Sequence, residues 1–169
     1  GTASLQATRY ALTAFAGRAL TVASGPVVGD VYAEAGLDTR ACPAAGLAGL
    51  MVRVDSSDDA TPESGIIFAV SCDLAVWQVL RLAGENEYVN MGGAVISSEA
   101  VAAAEIGNQP TLGLLADGDR LTLYLNGVRL GAVDAPAGSV EGQIGLFVAA
   151  PAGSDATARY SRFIVWALP

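Results

Sequence analysis

The sequence predicts an all-β fold: two antiparallel sheets packed as a β-sandwich or jelly roll, about ten to twelve strands, at most one short helix. Three observations predict it. Short runs of alternating apolar and polar residues recur about every 8–12 residues, the spacing of sandwich strands. Asp117-Gly118 and Asn126-Gly127, the strongest tight-turn dipeptides, bracket one such run inside residues 111–133. The composition, 52% hydrophobic with 20 glycines and only 15% charged residues, suits buried sheets and is wrong for a disordered chain. At 169 residues the chain reads as a single domain, residues 1–169, with no internal repeat and no linker.

Residues 9–14 and 18–23 alternate as two short strands, with Ala16-Gly17 near the turn between them. Residues 24–29 are expected to form a loop. Residues 31–37 form a strand with Val31, Ala33, Ala35 and Leu37 on one face and Tyr32, Glu34 and Gly36 on the other. Residues 39–46 read as irregular, and 47–54 as a strand ending at Arg53 before an acidic loop, 55–63. Residues 64–72 and 74–82 make a hairpin around Cys72-Asp73. Residues 83–93 read as turn and irregular segment around Tyr88, and 94–105 have the one helical composition.

The stretch 111–133 organises the rest. A type I′ turn at Asn126-Gly127 needs positive φ at both central residues and sets Leu125 opposite Val128, Leu123 opposite Leu130 and Leu121 opposite Ala132. A two-residue turn at Asp117-Gly118 sets Leu114 opposite Leu121 and Leu112 opposite Leu123. Both registers put the same leucines on one face, and a one-residue slip would expose them all. A loop over 134–142 and strands over 143–149 and 160–168 complete the chain.

The net charge of −8, with no lysine and no histidine, argues against nucleic acid and anionic membrane surfaces as partners. The missing histidine removes Ser-His and Cys-His nucleophile pairs and histidine-ligated zinc. No apolar run reaches the roughly 18 residues of a membrane-spanning helix, so membrane insertion is not expected. The first residues lack the pattern of a signal peptide, which is absent or already removed, and a start at Gly1 suggests a trimmed chain. Cys42 and Cys72 are expected to be bonded to each other, with two free buried thiols as the alternative. A bond would close a loop worth about 3.5 kcal/mol in the chain-entropy model and imply an oxidising compartment, hence export.

Several segments in a fixed order carry a resemblance. They are GLMVRV (49–54), FAVSCDLAVWQVLRL (68–82), ISSEAVAAAEIGNQPTLGLLADGDRLTLYLNGVRLGAV (96–133), EGQIGLFV (141–148) and YSRFIVW (160–166). Together they resemble the concanavalin A-like lectin/glucanase superfamily, among it bacterial domains of the laminin G-like and 3-keto-disaccharide hydrolase-like kind. The resemblance runs from about residue 30 to residue 166 and implies two packed antiparallel sheets with one concave face. It does not imply glucanase chemistry. Retaining glucanases of this superfamily carry Glu-x-Asp-x-x-Glu, which holds nucleophile and acid about 5 Å apart, and this sequence has no such spacing. Glu85-Asn86-Glu87 lies in a loop-like stretch, and Glu34 has no second carboxylate two residues along.

The candidate ligand-binding residues are Tyr32, Glu34, Arg53, Trp77, Arg81, Tyr124 and Arg129. By the hairpin register Tyr124 lies opposite Arg129. Aromatic faces can stack on sugar rings while Arg and Glu hydrogen-bond the hydroxyls; the alternative is the ordinary polar outer face of a sandwich. With strand neighbours taken from the resemblance, Tyr32, Arg53, Tyr124 and Arg129 are expected to share one concave sheet. Trp77 is either a core or rim aromatic or a stacking one. Phe163 and Trp166 lie on opposite faces of the last strand, with Phe163 expected in the core. The loop carboxylates Asp55, Asp58, Asp59 and Glu63 could supply oxygens to Ca2+, or simply be solvated. The favoured reading is a non-catalytic, lectin-like carbohydrate-binding module of an exported, extracellular or cell-surface protein, its partner a carbohydrate or protein ligand. The alternatives are a structural or protein-interaction domain and a glycoside-processing enzyme.

Overall fold

The computed structural model describes residues 7–56, 62–84, 86–103, 109–138 and 140–169. Among them lie twelve strands and one helix. The first six strands are β1 (Ala7–Ala14), β2 (Ala19–Val28), β3 (Val31–Ala41), β4 (Leu47–Ser56), β5 (Pro62–Ser71) and β6 (Val76–Ala83). Then come β7 (Tyr88–Val95), α1 (Ser98–Ala102), β8 (Thr111–Asp117), β9 (Arg120–Leu125), β10 (Val128–Asp134), β11 (Gly142–Ala149) and β12 (Ala156–Ala167). They form two antiparallel six-stranded sheets, a back sheet ordered β1-β12-β3-β8-β9-β10 and a front sheet ordered β2-β11-β4-β5-β6-β7.

Alternation in each strand decides what fills the space between the sheets. Val31, Ala33, Ala35 and Leu37 of β3 point inward with Leu112, Leu114, Leu121, Leu123 and Leu125 of the meander, all fully buried. The front sheet answers with Leu50, Val52, Ile66, Phe68, Val79, Leu146 and Val148. Tyr160 of β12 crosses this core, and its hydroxyl donates to the Phe147 carbonyl and accepts from the Gly49 N–H at 2.9 Å. Gly49 and Phe147 are register partners on β4 and β11, so the hydroxyl is wedged between two strands from the core side.

That wedge matches the curvature of the front sheet. Gly49, Gly145 and Gly93 all point to its outer face, and an added Cβ would meet the backbone of the neighbouring strand. The contacts would be 1.9 Å from the Phe68 oxygen, 2.6 Å from the Val22 oxygen and 2.5 Å from the Trp77 oxygen. The neighbouring strands have therefore risen toward that face, and the front sheet is concave outward. β2 and β5, separated in the sheet order by β11 and β4, come within 8 Å Cα to Cα. The trough holds a second apolar cluster of Met51, Ile67, Ala69, Leu80, Leu82 and Phe147.

The Asn126-Gly127 turn is type I′ as expected, with φ of 53° and 79°. The Asn126 side chain fixes it, accepting from the Thr111 N–H and donating to the Ala100 carbonyl, both at 2.8 Å. The other turn differs from expectation: Gly118-Asp119 is the turning pair, Asp117 faces Arg120, and Leu114 pairs with Leu123 rather than Leu121. Only Gly118 of the pair has positive φ, the type II′ pattern. The register is offset by two residues, an even number, so every leucine keeps its face. On β10 a bulge after Arg129 sets Leu123 opposite Gly131 and Leu121 opposite Val133. Trp77 explains it: a Cβ on residue 131 would lie 2.7 Å from the indole, so the inward position there suits glycine alone.

Residues 24–28 are not a loop but continue β2, an edge strand on which Pro26 is tolerated. Residues 88–93, expected to be irregular, and 94–95, read with the helical stretch, form edge strand β7 on β6. β3 likewise runs on to Ala41. The helix is one short turn, N-capped by the Ser97 hydroxyl. Cys42 and Cys72 form a disulfide across a separation of 30 residues. No helix among the described residues is long and apolar enough to cross a membrane.

Candidate functional site

The outer face of the back sheet brings together four of the seven residues predicted from sequence, Tyr32, Glu34, Tyr124 and Arg129, with one addition. Trp166 of β12 is the register partner of Tyr32 on β3, which faces Leu115 on β8 and then Thr122 on β9. The next row, two residues along, reads Ile164, Glu34, Gly113, Tyr124 and Arg129. The rings of Tyr32 and Trp166 lie 5.4 Å apart and tilted by 31°. Tyr32 and Tyr124 meet edge to face at 6.2 Å, a favoured geometry for aromatic pairs. Gly113 makes room for this pair, since a Cβ there would lie 2.6 Å from the Tyr32 hydroxyl and 3.2 Å from the Tyr124 Cβ. The result is an aromatic row with a glycine floor, Trp166 being 38% exposed at its end.

The Tyr32 hydroxyl donates to Glu34 Oε2 at 3.0 Å. Partial burial and then the adjoining carboxylate raise the phenol above its ordinary range, so it stays protonated and its donor stays on Glu34. Glu34 keeps further acceptor capacity for hydroxyl donors. Arg129, exposed beside Tyr124, supplies donors at the other end of the row.

The other predicted residues are elsewhere. Arg53 belongs to β4 of the front sheet and is 3% exposed. Its φ of 55° and the register shift after Val52 break the alternation and turn its side chain inward. There the guanidinium donates to the Gly118 carbonyl and stands 3.6 Å from the Asp30 carboxylate, tying the front sheet to the back sheet. The expectation that Tyr32, Arg53, Tyr124 and Arg129 share one concave sheet is therefore not met. Three of them share the back face, and the concave face belongs to the other sheet.

Trp77 is 7% exposed and packed in the core over Gly131, so it presents no face to a ligand. Arg81 lines a depression at one end of the sandwich with Arg53, Asp55 and Glu141, away from the aromatic row. Asp55 is exposed there, while Asp58 and Asp59 lie outside the described residues. The concave side of the front sheet, where the resemblance would place ligands, is filled by the second apolar cluster, whose members are at most 8% exposed and are covered in part by Tyr88 and Leu47.

Trp166 is the residue the sequence reading missed. Phe163 is buried as expected, and a residue three positions further on an extended strand must face the other way, so the signal was in the alternation. Its neighbours were not, because pairing of β12 with β3 joins residues from 116 apart (Thr157 and Ala41) to 136 apart (Ala167 and Val31) in sequence.

No protein-family model and no curated protein matches the sequence. Solved structures do. A carbohydrate-binding module, CBM66 from Bacillus subtilis, is similar at a TM-score of 0.69 and 19% identity, over 92% of this chain and 86% of that one. A protein of unknown function with a galectin-like fold, also from Bacillus subtilis, is similar at 0.63 and 11% identity, over 88% and 77%. A Bacillus licheniformis beta-glucanase is similar at 0.58 and 13% identity, over 89% and 78%. With two six-stranded antiparallel sheets, one of them curled, the chain has the concanavalin A-like jelly-roll fold.

Proposed function

We propose that this chain is a carbohydrate-binding module that holds a glycan along the outer face of its back sheet. The observation that carries the reading is the row Trp166–Tyr32–Tyr124 on one sheet face, in which Tyr32 contacts the ring on either side of it. Sugar rings present apolar C–H faces that stack on aromatics, while their hydroxyls take hydrogen bonds from groups such as Arg129 and give them to Glu34. The likeness to a carbohydrate-binding module supports the same ligand class. Binding without hydrolysis is supported by the concave floor, which is built of Met51, Ile67, Leu80, Leu82 and Phe147. A retaining hydrolase needs two carboxylates there about 5 Å apart. The Cys42–Cys72 disulfide supports an exported protein.

The test is a glycan array read with and without calcium, followed by titration of the best-bound oligosaccharide. Trp166→Ala and Tyr124→Ala should each weaken binding about tenfold, the scale of one lost aromatic contact, with calcium making no difference to either. An array without a bound glycan, or unchanged affinity in both variants, would overturn the reading.

A further inference from the structure

The aromatic row occupies only one end of the back face. Following the strands toward the other end, the next rows read Arg9, Ser161 and Gly36, then Arg159 and Asp38. Arg162 joins them through a bulge. It has φ of 50° and lies between the pairs Ser161–Gly36 and Ile164–Glu34, so β12 spends an extra residue there before Phe163 returns to the core. A non-glycine residue holds that conformation only at a cost, and bulges re-aim side chains. Here the Arg162 guanidinium comes to within 3.7 Å of where a Gly36 Cβ would sit, beside the Ser161 hydroxyl at 2.7 Å from the same point. Glycine at position 36 is what leaves that space open.

Arg9, Arg40, Arg159 and Arg162 thus line one depression of about 770 Å3 with Asp38, Gln109 and Ser161, a volume within the range of small-ligand sites. The chain has nine cations, all arginine, against seventeen acids, yet four of the nine converge here around one carboxylate. Asp38 does not neutralise the group. Arg40 takes both its oxygens, Nε to Oδ1 at 2.9 Å and Nη2 to Oδ2 at 2.6 Å. Among the described residues, Arg9, Arg159 and Arg162 form no ion pair within 4 Å. Three guanidinium forks therefore face solvent in a molecule whose overall field repels anions. Each presents paired N–H donors matched to the two oxygens of a carboxylate or sulfate.

We infer that the glycan held on this face is acidic, with its carboxylate or sulfate-ester groups seated on Arg9, Arg159 and Arg162. The inference rests on the carbohydrate-binding reading and names its ligand class. From Tyr32 to Asp38 is six residues of extended strand, roughly 20 Å, so a ligand reaching both ends is an oligosaccharide, stacked at one end and ion-paired at the other.

Matched polymers test it. Affinity electrophoresis compares polygalacturonate with its methyl ester, and a sulfated galactan with the same galactan desulfated; a single-stranded DNA serves as a non-sugar polyanion. The acidic member of at least one pair should bind about tenfold or more tightly than its neutral partner, and the pair that shows the difference identifies carboxylate or sulfate. Arg159→Gln with Arg162→Gln should abolish that difference, bringing the acidic form down to the affinity of its neutral partner. Asp38→Asn, which frees Arg40, should enlarge it. Equal binding of both members of each pair, unaltered by the arginine substitutions, would overturn the inference and leave the sugar face standing. DNA bound as tightly as the acidic glycans would also overturn it, as a general polyanion patch. No binding of any of the four polysaccharides would overturn the inference, while the reading beneath it falls only on an array without a bound glycan or on unchanged affinity in the aromatic variants.

Discussion

Gly131→Ala tests the packing that sets the register of β10. A Cβ at residue 131 would lie 2.7 Å from Cζ2 and 3.0 Å from Cη2 of Trp77, against the 3.5–4.0 Å of ordinary carbon contact. Those atoms belong to one rigid ring, 7% exposed and held between the sheets, so the ring as a whole must move by roughly 1 Å. Overpacking of this kind costs about 1–3 kcal/mol. Replacing a strand glycine returns about 0.5–1 kcal/mol, which leaves a net destabilisation of about 1–2 kcal/mol. Trp77→Phe removes the atoms in conflict. In that background Gly131→Ala should be neutral or stabilising, giving a coupling of about 1.5–2.5 kcal/mol in the double-mutant cycle. Urea unfolding with the disulfide intact measures all four proteins, provided the m-value is constant. An equal cost of Gly131→Ala in both backgrounds, within about 0.3 kcal/mol, would refute the bulge and the placement of Trp77 over it.

Three further outcomes follow from the geometry. Gly127→Val meets no atom within 4 Å, so its effect is backbone alone; a β-branched residue at φ of 79° should lower stability by more than about 1 kcal/mol, and an unchanged melting temperature would contradict the type I′ turn. Asp38 is held at about 2, chiefly by its side-chain hydrogen bonds from Arg40, and a carboxyl depressed in the folded state adds stability that is complete above its unfolded value near 4 and lost as pH falls through about 2. Because the Arg40 side chain is 84% exposed, the contribution is about 1 kcal/mol: Asp38→Asn should be less stable by that amount at pH 7, with the gap closing between pH 4 and 2, and a gap constant over that range would contradict it. Reducing the Cys42–Cys72 bond should lower unfolding free energy by about 3–4 kcal/mol, whereas an unchanged urea midpoint under reductant would contradict the cross-link.

What the sequence made legible was local. Alternation over residues 31–37 placed four core side chains correctly, and Asn126-Gly127 named its turn. Even the misplaced turn at Gly118-Asp119 cost nothing in facing, because its offset was even. Three breaks in alternation escaped. Arg53 and Arg162 take positive φ without being glycine, and Leu130 sits in a bulge dictated by a tryptophan more than 50 positions away, at residue 77. Composition does not encode such residues, since the compensating contact lies on another strand. The partition of strands between sheets escaped for the same reason. Tyr124 and Arg129 could be joined through their hairpin, but Tyr32, Trp166 and the arginines meet only once β12 is inserted between β1 and β3. Arg53, assigned to the same face from alternation, turned out to be the tie between the sheets.

The central claim is that ligand lies on the back face and not in the concave trough. Backbone and indole 1H–15N shifts, followed while the labelled protein is titrated with the best-bound oligosaccharide from the array, decide between them. The account predicts saturable shifts at the Trp166 indole N–H, Tyr32, Gly113, Tyr124 and Arg129, with Met51, Ile67, Leu80 and Phe147 unmoved. Shifts concentrated on those four trough residues, with the aromatic row silent, would contradict it.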